Sequence, residues 1–319
     1  MQKLNFQDAS FLRAEVGERP FHVAGLLIFS KPAHAPANYL RKLEPLIMEG
    51  ILNSSPIFTR KLKDAHDLRS PAWIEEDNPD KRYHFRHYRL PHGGTMDDLM
   101  ELLALAHQPV LDRTRPLWEY HLVDGLPRNR FAVYCKIHHA LVDGVSGIAL
   151  ISKQLQCEPI SITRLRRLHA DTHPEELPDK KSSGWFRQLE RSLGALWDQT
   201  RALPEVAAQV MHMGLSADGG NKALPPLPFT APPSILNLDM GARRKFITLD
   251  LPLNKMRAIG HNADGTINDA LIAVLGGAVR SFLLSQQKLP RASLVGALPI
   301  SVKTEGNKGN KLSMLMVPL

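Results

Sequence analysis

The amino-acid sequence predicts an α/β (α+β) protein in which mixed sheets are flanked by helices. Three observations support this prediction: strand-like runs alternate with helical patterns, one pair of strands is joined by a turn sequence, and a stretch rich in proline, glycine and serine separates two structured blocks. A chain of 319 residues is long enough for one large domain or two ordinary ones, each with its own core.

The first block, residues 1–159, is predicted to begin with a strand followed by helices. Phe21–Phe29 is predicted to be a strand and Tyr39–Leu52 a helix. Met96–His107 has apolar residues at three- and four-residue spacing, which predicts a second helix with Thr95 as its N-cap.

A hairpin is predicted next, from the strand-like runs Leu117–Val123 and Phe131–Ile137. They are joined by DGLPRNR, in which Asp124-Gly125, followed by Pro127, favours a turn. The run VSGIALISKQL that comes later predicts a helix. The polar residues between the hairpin and this helix therefore lie where a strand opens into a turn, and side chains there can reach a cleft.

Residues 160–234 are predicted to be a linker that contains an amphipathic helix. Its apolar stripe consists of Trp185, Phe186, Leu189, Leu193, Leu196 and Trp197. Two interpretations stay open. The stripe packs on the protein, as it does in most amphipathic helices, or it lies in a membrane interface, with the tryptophans at headgroup level and basic neighbours facing anionic lipid.

The second block, residues 235–319, is predicted to contain further strands and helices. The alternation in Arg244–Leu251 predicts a strand. A helix over Leu253–Ile259, a turn at Ala263–Gly265, a helix from Asn268, and strands at Ser293–Leu298 and Leu312–Val317 are predicted to follow.

The polar motif is KIHHALVDGVSG, Lys136–Gly147, which contains His138, His139, Asp143 and Gly144. A histidine whose pKa lies near neutrality can take a proton from a hydroxyl or thiol and return it later. A buried structural histidine is the commoner case. A metal site is disfavoured because adjacent strand residues point to opposite faces, and a third ligand at suitable spacing is missing nearby.

The HHxxxDG pattern resembles that of the CoA-dependent acyltransferase superfamily, and the chain is most similar to the bacterial wax ester synthase/diacylglycerol acyltransferase family. LNFQDASFLRAEVGERPFHVAGLLIF, LDRTRPLWEYHLVDGL, TINDALIAV, ALPISVK and GNKLSML also support the resemblance, which covers nearly the whole chain outside roughly residues 158–233. It implies a two-domain architecture like that of chloramphenicol acetyltransferase. Residues 1–159 would form the N-terminal acyltransferase domain, and residues 235–319 a partial C-terminal domain, so that the second domain is truncated.

The resemblance assigns roles to the motif. His139 would be the general base that deprotonates an acceptor hydroxyl, which then attacks the thioester of an acyl-CoA in a ternary complex. His138 would shape the site, Asp143 would fix the loop through a basic partner, and Gly144 would let the chain turn close to substrate.

Two further pairs of interpretations stay open. Pro116, Leu117 and Trp118 would bind substrate, or Trp118 is a core residue. Asn268 and Asp269 would lie near the cleft shared by the two domains, cap a helix, or do both.

The implied donor is a long-chain acyl-CoA acting as cosubstrate, with no cofactor and no metal. The implied acceptor is diacylglycerol, giving triacylglycerol, or a fatty alcohol, giving wax ester. Two alternatives stay open: a truncated noncatalytic homologue that binds lipid or CoA, and a condensation-type acyltransferase of the same superfamily.

Composition limits the location and partners of the chain. Its two cysteines are too few for a disulfide framework, and neither a signal peptide nor an apolar run of about 20 residues is present. These features predict a cytoplasmic protein, peripheral on the inner membrane or on lipid inclusions. The net charge of +8 suits an anionic membrane or the phosphates of CoA. Nucleic acid is disfavoured because no binding motif accompanies the charge.

Overall fold

The computed structural model describes residues 1–15, 17–91, 93–142, 144–155, 231–238, 241–303 and 310–319. Contacts divide the chain into two compact units. One comprises Met1–Lys180 with Met240–Ile247, and the other comprises Lys181–Asp239 with Thr248–Leu319. Most of the predicted linker, including its amphipathic helix, lies outside the described residues. The domain boundaries at 1–159, 160–234 and 235–319 therefore stay predictions.

The first unit alternates strands and helices as predicted. Its elements are β1 (Gln2–Lys3), α1 (Phe6–Ala14), β2 (His22–Ser30), α2 (Tyr39–Ser54), a 3-10 helix (Pro56–Thr59), β3 (Arg60–Leu62), β4 (Ala72–Glu75), α3 (Lys81–His84), β5 (Phe85–Arg89), α4 (Met96–His107), β6 (Trp118–Leu126), β7 (Arg130–His138) and α5 (Gly144–Gln154). The predicted helices at residues 39–52 and 96–107 are confirmed. Thr95 caps α4, because its hydroxyl accepts the Asp98 N–H while the Asp98 carboxylate accepts the Thr95 N–H.

A four-stranded mixed sheet forms the centre of the first unit, in the order β2-β7-β6-β5. β7 is antiparallel to both neighbours, whereas β5 and β6 are parallel, so the predicted mixed sheet is confirmed. Along β7, Phe131, Val133, Cys135 and Ile137 belong to one apolar cluster, and Ala132 and Tyr134 belong to another. Because side chains alternate between the faces of a strand, β7 contributes to a core on each side of the sheet.

The hairpin between β6 and β7 is confirmed, and its turn lies within the predicted connection DGLPRNR, but at residues 127–129 rather than at Asp124-Gly125. Asp124 and Gly125 belong to β6, where the register shifts between Val123 and Leu126, and Gly125 has a φ of +90°. The chain reverses after Pro127, with positive φ values of 61° at Arg128 and 55° at Asn129. The Asp-Gly pair, which favours turns in sequence, thus forms a β-bulge in the ladder.

The second unit contains a 3-10 helix (Ile235–Asn237), α6 (Leu253–Asn262), α7 (Ile267–Ser285), β8 (Val295–Lys303) and β9 (Asn310–Pro318). β8 and β9 pair antiparallel along their full lengths, so both predicted strands are confirmed. The helices predicted near Leu253 and Asn268 are confirmed as well.

The strand predicted at Arg244–Leu251 is wrong. These residues are described, but they belong to no strand. Ile247 is 75% exposed and Leu249 81%, whereas Phe246 is half-buried and packs against the His107 ring. Alternation alone does not make a strand, because the backbone also needs a neighbour for its hydrogen bonds, and within the described ranges no neighbouring strand pairs with this segment.

Helix α7 is long and apolar enough to cross a membrane by length and composition alone, with a mean hydropathy of 1.5. Only 11% of its apolar window is buried. The sequence-based expectation considered uninterrupted apolar runs, whereas this helix also contains Asp269 and Arg280. A single helix of this kind is weak evidence for a membrane span, because core helices of globular proteins have the same length and composition.

The bulge geometry predicts that Gly125→Ala destabilises the first unit by about 1–2 kcal/mol, since an L-residue is strained at this φ. A Cβ at this position would also lie 3.2 Å from the Leu90 carbonyl oxygen. Urea unfolding measures the change. Gly147→Ala in α5 is the matched control, because its Cβ would make only ordinary contacts with Val142, at 3.8 Å and beyond. Equal stability of the two variants would contradict the bulge assignment.

Candidate active site

His139 lies in the turn that follows β7, as predicted for the end of this strand. Its backbone N–H donates to the Phe21 carbonyl at 2.8 Å. Its ring is partly exposed and stacks on Phe11, with centroids 4.3 Å apart and planes at 29°. Phe11 lies on α1, so the first helix and the start of β2 together hold this histidine.

His138, the last residue of β7, is fully buried. Its Nδ1 accepts the Ala140 N–H at 3.0 Å, so Nδ1 carries no proton and the neutral ring is protonated at Nε2. Nε2 lies 3.5 Å from Oε1 of Glu15, which is the outer limit of a hydrogen bond. The two histidines therefore differ in environment: His138 is fully buried, and His139 is partly exposed.

Glu15, the C-cap residue of α1, has a buried carboxylate. Its Oε1 accepts the Phe21 N–H at 3.0 Å, and its Oε2 lies 3.3 Å from Nη2 of Arg113. Burial alone raises the pKa of this carboxyl. The contacts with His138 and Phe21, together with the Arg113 cation, outweigh burial and lower that pKa to about 2.

Four further polar side chains lie buried on the same sheet face as His138, and the five together are called the buried polar strip: His22, Glu119, His121, Lys136 and His138. The sheet register explains their grouping, since His22 pairs with His138 and Glu119 pairs with Lys136. Paired residues of neighbouring strands point to the same face. The strip ends at the histidine motif.

Lys136 is the fully buried cation of this strip. Its Nζ donates to the carbonyls of Ala106 at 3.0 Å and Pro109 at 2.8 Å, at the C-terminal end of α4, where a cation is favoured. Nζ also lies 3.6 Å from Oε2 of Glu119. Burial lowers the pKa of Lys136, and the Glu119 carboxylate opposes that effect.

His22 and His107 are neutral histidines next to Lys136. His22 Nε2 donates to the His107 carbonyl at 2.8 Å, and His107 Nδ1 lies 2.6 Å from the Tyr134 hydroxyl. Burial, followed by the charge of Lys136, lowers the pKa of His22 to about 3 and that of His107 to about 4. A charged histidine is disfavoured here because the lysine ammonium already occupies the site.

Of the predicted motif residues, Asp143 is not described by the structure, and Gly144 is described by its backbone only. The predicted basic partner of Asp143 therefore stays open. Gly144 is the first residue of α5, which fits its predicted position at the turn.

The predicted substrate-binding residues Pro116, Leu117 and Trp118 are buried. The Trp118 indole N–H donates to the Phe58 carbonyl at 2.9 Å, and its ring stacks on His84 with centroids 4.2 Å apart. These contacts favour the core interpretation of Trp118 that the sequence left open. Substrate binding by this segment stays a prediction.

Asn268 and Asp269 are exposed at the start of α7. The Asp269 carboxylate accepts the Thr266 N–H at 2.7 Å, and the Thr266 hydroxyl accepts the Asp269 N–H at 3.3 Å, so Asp269 completes a capping box. The capping interpretation is therefore supported by geometry. Their predicted proximity to a cleft stays a prediction.

Sequence reasoning missed Glu15, His22, Arg113 and the buried polar strip as a group. Lys136 offered a local signal, because it interrupts the apolar strand FAVYCKI two residues before His138 and so shares its face. Glu15 offered none, since its charged and imidazole partners, Arg113 and His138, are distant in sequence. In the part of the chain that the structure describes, no three His, Cys, Asp or Glu side chains are grouped to hold a metal.

Comparisons with known proteins identify the family. The model of the wax ester synthase/diacylglycerol acyltransferase catalytic domain matches residues 4–271. The chain belongs to this family. It is 32% identical over 315 residues to a putative diacylglycerol O-acyltransferase of Mycobacterium tuberculosis, covering 98% of this chain and 68% of that protein. It is 31% identical over 320 residues to the O-acyltransferase WSD of Acinetobacter baylyi, and this match covers 100% of this chain and 68% of that protein.

Solved structures support the same assignment. The wax ester synthase/diacylglycerol acyltransferase from Marinobacter aquaeolei VT8 matches with a TM-score of 0.65 and 29% identity, over 92% of this chain and 63% of that one. The first condensation domain of the CDA synthetase matches with a TM-score of 0.52 and 16% identity, over 99% of this chain and 68% of that one. At this identity the match shows only that the fold is shared.

The predicted family and α/β fold class are therefore confirmed, as is the prediction of an acyltransferase at the level of the family. The chain spans about two thirds of the length of these relatives, so truncation of the second domain and the activity of this polypeptide stay predictions.

The pKa of His22 predicts a pH-dependent stability. Its folded value of about 3 lies below the ordinary value near 6.5, so the unfolded state binds more protons between these limits, and stability falls as the pH is lowered across them. This side chain should contribute a slope of about 1.4 kcal/mol per pH unit between about pH 6 and pH 4. Denaturant unfolding at several pH values measures the slope.

The variant His22→Gln should lower that slope by about 1.4 kcal/mol per pH unit, which corresponds to the uptake of one proton on unfolding. The variant His34→Gln changes an exposed residue and should leave the slope unchanged. An unaltered slope in His22→Gln would show that His22 is not held neutral in the folded protein.

Proposed function

We propose that this chain is an O-acyltransferase that moves a long-chain acyl group from acyl-CoA to diacylglycerol, to a fatty alcohol, or to both. Membership of the family supports the reaction class. The contrast between the two motif histidines supports the site: His138 is fully buried and hydrogen-bonded inside, whereas His139 is partly exposed on a strand end. Only His139 is available to a hydroxyl that approaches from outside.

In the proposed reaction His139 acts as general base. It takes the proton of the acceptor hydroxyl, the hydroxyl oxygen attacks the thioester carbonyl carbon, and the carbon–sulfur bond breaks. The imidazolium then returns the proton to the departing CoA thiolate, so the ring ends neutral. The His139 ring stacks on Phe11, and the His139 backbone N–H donates a hydrogen bond to the Phe21 carbonyl. Both contacts limit the orientation of the ring, which favours proton transfer.

The neighbouring residues support His139 in this proposal. His138 shapes the turn from inside, Asp143 fixes the loop that follows, and Gly144 keeps the approach to the base free of a side chain. Leu117 and Trp118, which lie in the core, would act on substrate by shaping the wall of the site.

Acyl-CoA is the proposed cosubstrate, with no separate cofactor, because a thioester is already activated for acyl transfer. The apolar donors and acceptors favour work at a lipid surface. A peripheral position on the inner membrane or on lipid inclusions, in a cytoplasmic protein, fits both these substrates and the net charge of +8.

The proposal predicts that His139→Ala lowers acyl transfer by about 10²–10⁴-fold, the usual contribution of a general base. The assay supplies palmitoyl-CoA with hexadecanol or diolein and follows both free thiol and ester product. His66→Ala is the matched control, because this exposed histidine is far in sequence from the motif.

Transfer that persists undiminished in His139→Ala would contradict the assigned base. Binding of palmitoyl-CoA without ester formation would instead favour the noncatalytic lipid- or CoA-binding alternative. Product formed only with carrier-bound amine acceptors would favour the condensation-type alternative.

A further inference from the structure

Glu15 contacts the two backbone segments that hold His139. It directly follows α1, and its own N–H donates to the Phe11 carbonyl at 3.1 Å. Its side chain is only 3% exposed. From this position one carboxylate contacts both His138 and Phe21, the residue before β2.

The first contact controls the protonated nitrogen of His138. Nδ1 must stay unprotonated to accept the Ala140 N–H at 3.0 Å, and this places the ring hydrogen on Nε2, toward Glu15 Oε1. A carboxylate that faces Nε2 stabilises this tautomer. In the other tautomer, Nδ1–H would oppose the Ala140 N–H, and the turn that contains His139 would lose the hydrogen bond between Ala140 and the His138 ring.

The second contact acts through Phe21. Glu15 Oε1 accepts the Phe21 N–H at 3.0 Å, and the Phe21 carbonyl in turn accepts the His139 N–H at 2.8 Å. Phe11, on the helix that ends at Glu15, stacks on the His139 ring. The carboxylate thus lies one residue away from His139 along two independent routes.

Arg113 keeps this carboxylate ionised and in place. Its Nη2 lies 3.3 Å from Glu15 Oε2 and also donates to the Leu12 carbonyl at 2.7 Å, so the cation is tied to α1. The pKa of about 2 for Glu15 agrees with a group that stays charged at every working pH.

We propose that Glu15 is a positioning residue, which fixes the tautomer of His138 and the backbone at Phe21 and thereby orients His139. The proposal rests on the proposed function for the link to rate, because orientation matters for catalysis only if His139 is the base. The tautomer of His138 is a separate property of the protein and can be measured without substrate.

The test compares Glu15→Gln with the matched control Glu18→Gln, an exposed glutamate three residues further on. Glutamine has the same size but presents an N–H₂ group that competes with the ring N–H of His138. Two-dimensional ¹H–¹⁵N spectra of the imidazole rings report the tautomers. We expect Nε2–H at His138 in the parent protein and in Glu18→Gln, and a mixture or the Nδ1–H form in Glu15→Gln.

The kinetic arm uses the palmitoyl-CoA assay. Glu15→Gln should lower kcat about 10–100-fold with little change in KM for palmitoyl-CoA, the pattern of a displaced base, and Glu15→Asp should recover part of the loss because it keeps the charge. Thermal unfolding of each variant confirms that the fold is retained.

An unchanged His138 tautomer in a folded Glu15→Gln protein would overturn the proposal, and so would a shifted tautomer with an unchanged kcat. If His139→Ala keeps full activity, the proposed base fails, and the tautomer measurement still decides the effect of Glu15 on His138. If the parent chain shows no transfer, the displacement of the His139 ring signals in Glu15→Gln decides the proposal, and unmoved signals overturn it.

Discussion

The alternation of side chains along β7 is the constraint on which the first unit depends. β7 is flanked on both sides by antiparallel strands, and the side chains on both of its faces are buried from Phe131 to His138. One face is apolar throughout, while the other changes from Ala132 and Tyr134 to Lys136 and His138. The same strand therefore contributes to two apolar cores and ends in the histidine motif. Its first residues pack in the cores, and its last residues carry the proposed chemistry.

Burying a lysine in that ladder is costly unless its charge is compensated, and the structure compensates it from two directions. The carbonyls at the end of α4 accept its hydrogens, and Glu119 supplies the opposite charge. These partners fix α4 against the sheet, and burial together with the lysine charge lowers the pKa of His22 and of His107. The polar end of the sheet is thus a group of buried polar and charged side chains next to the histidine that we propose as the base.

The sequence predicted the elements whose signals are local. Periodicity identified α2, α4 and β7, and Thr95 was recognisable as a cap. The turn at Asp124-Gly125 was wrong because the pair fits a bulge as well as a turn, and the segment at Arg244 was wrong because a strand also depends on its neighbour. The family was predicted from separated motifs, whereas His139 as the site base stays a prediction. Glu15 was missed because its three side-chain partners come together only through folding: Phe21 precedes β2, Arg113 lies between α4 and β6, and His138 ends β7.

The central claim is that the two adjacent histidines have different tasks, with His139 exchanging a proton with substrate and His138 holding the turn. Chemical rescue tests this difference most directly. Added imidazole should restore part of the ester formation by His139→Ala, because a free base can occupy the space left by the missing ring. It should not restore His138→Ala, whose lost ring is buried and structural. Ester product must be followed rather than thiol, since imidazole itself cleaves thioesters. Rescue of His138→Ala, or equal rescue of both variants, would contradict the account.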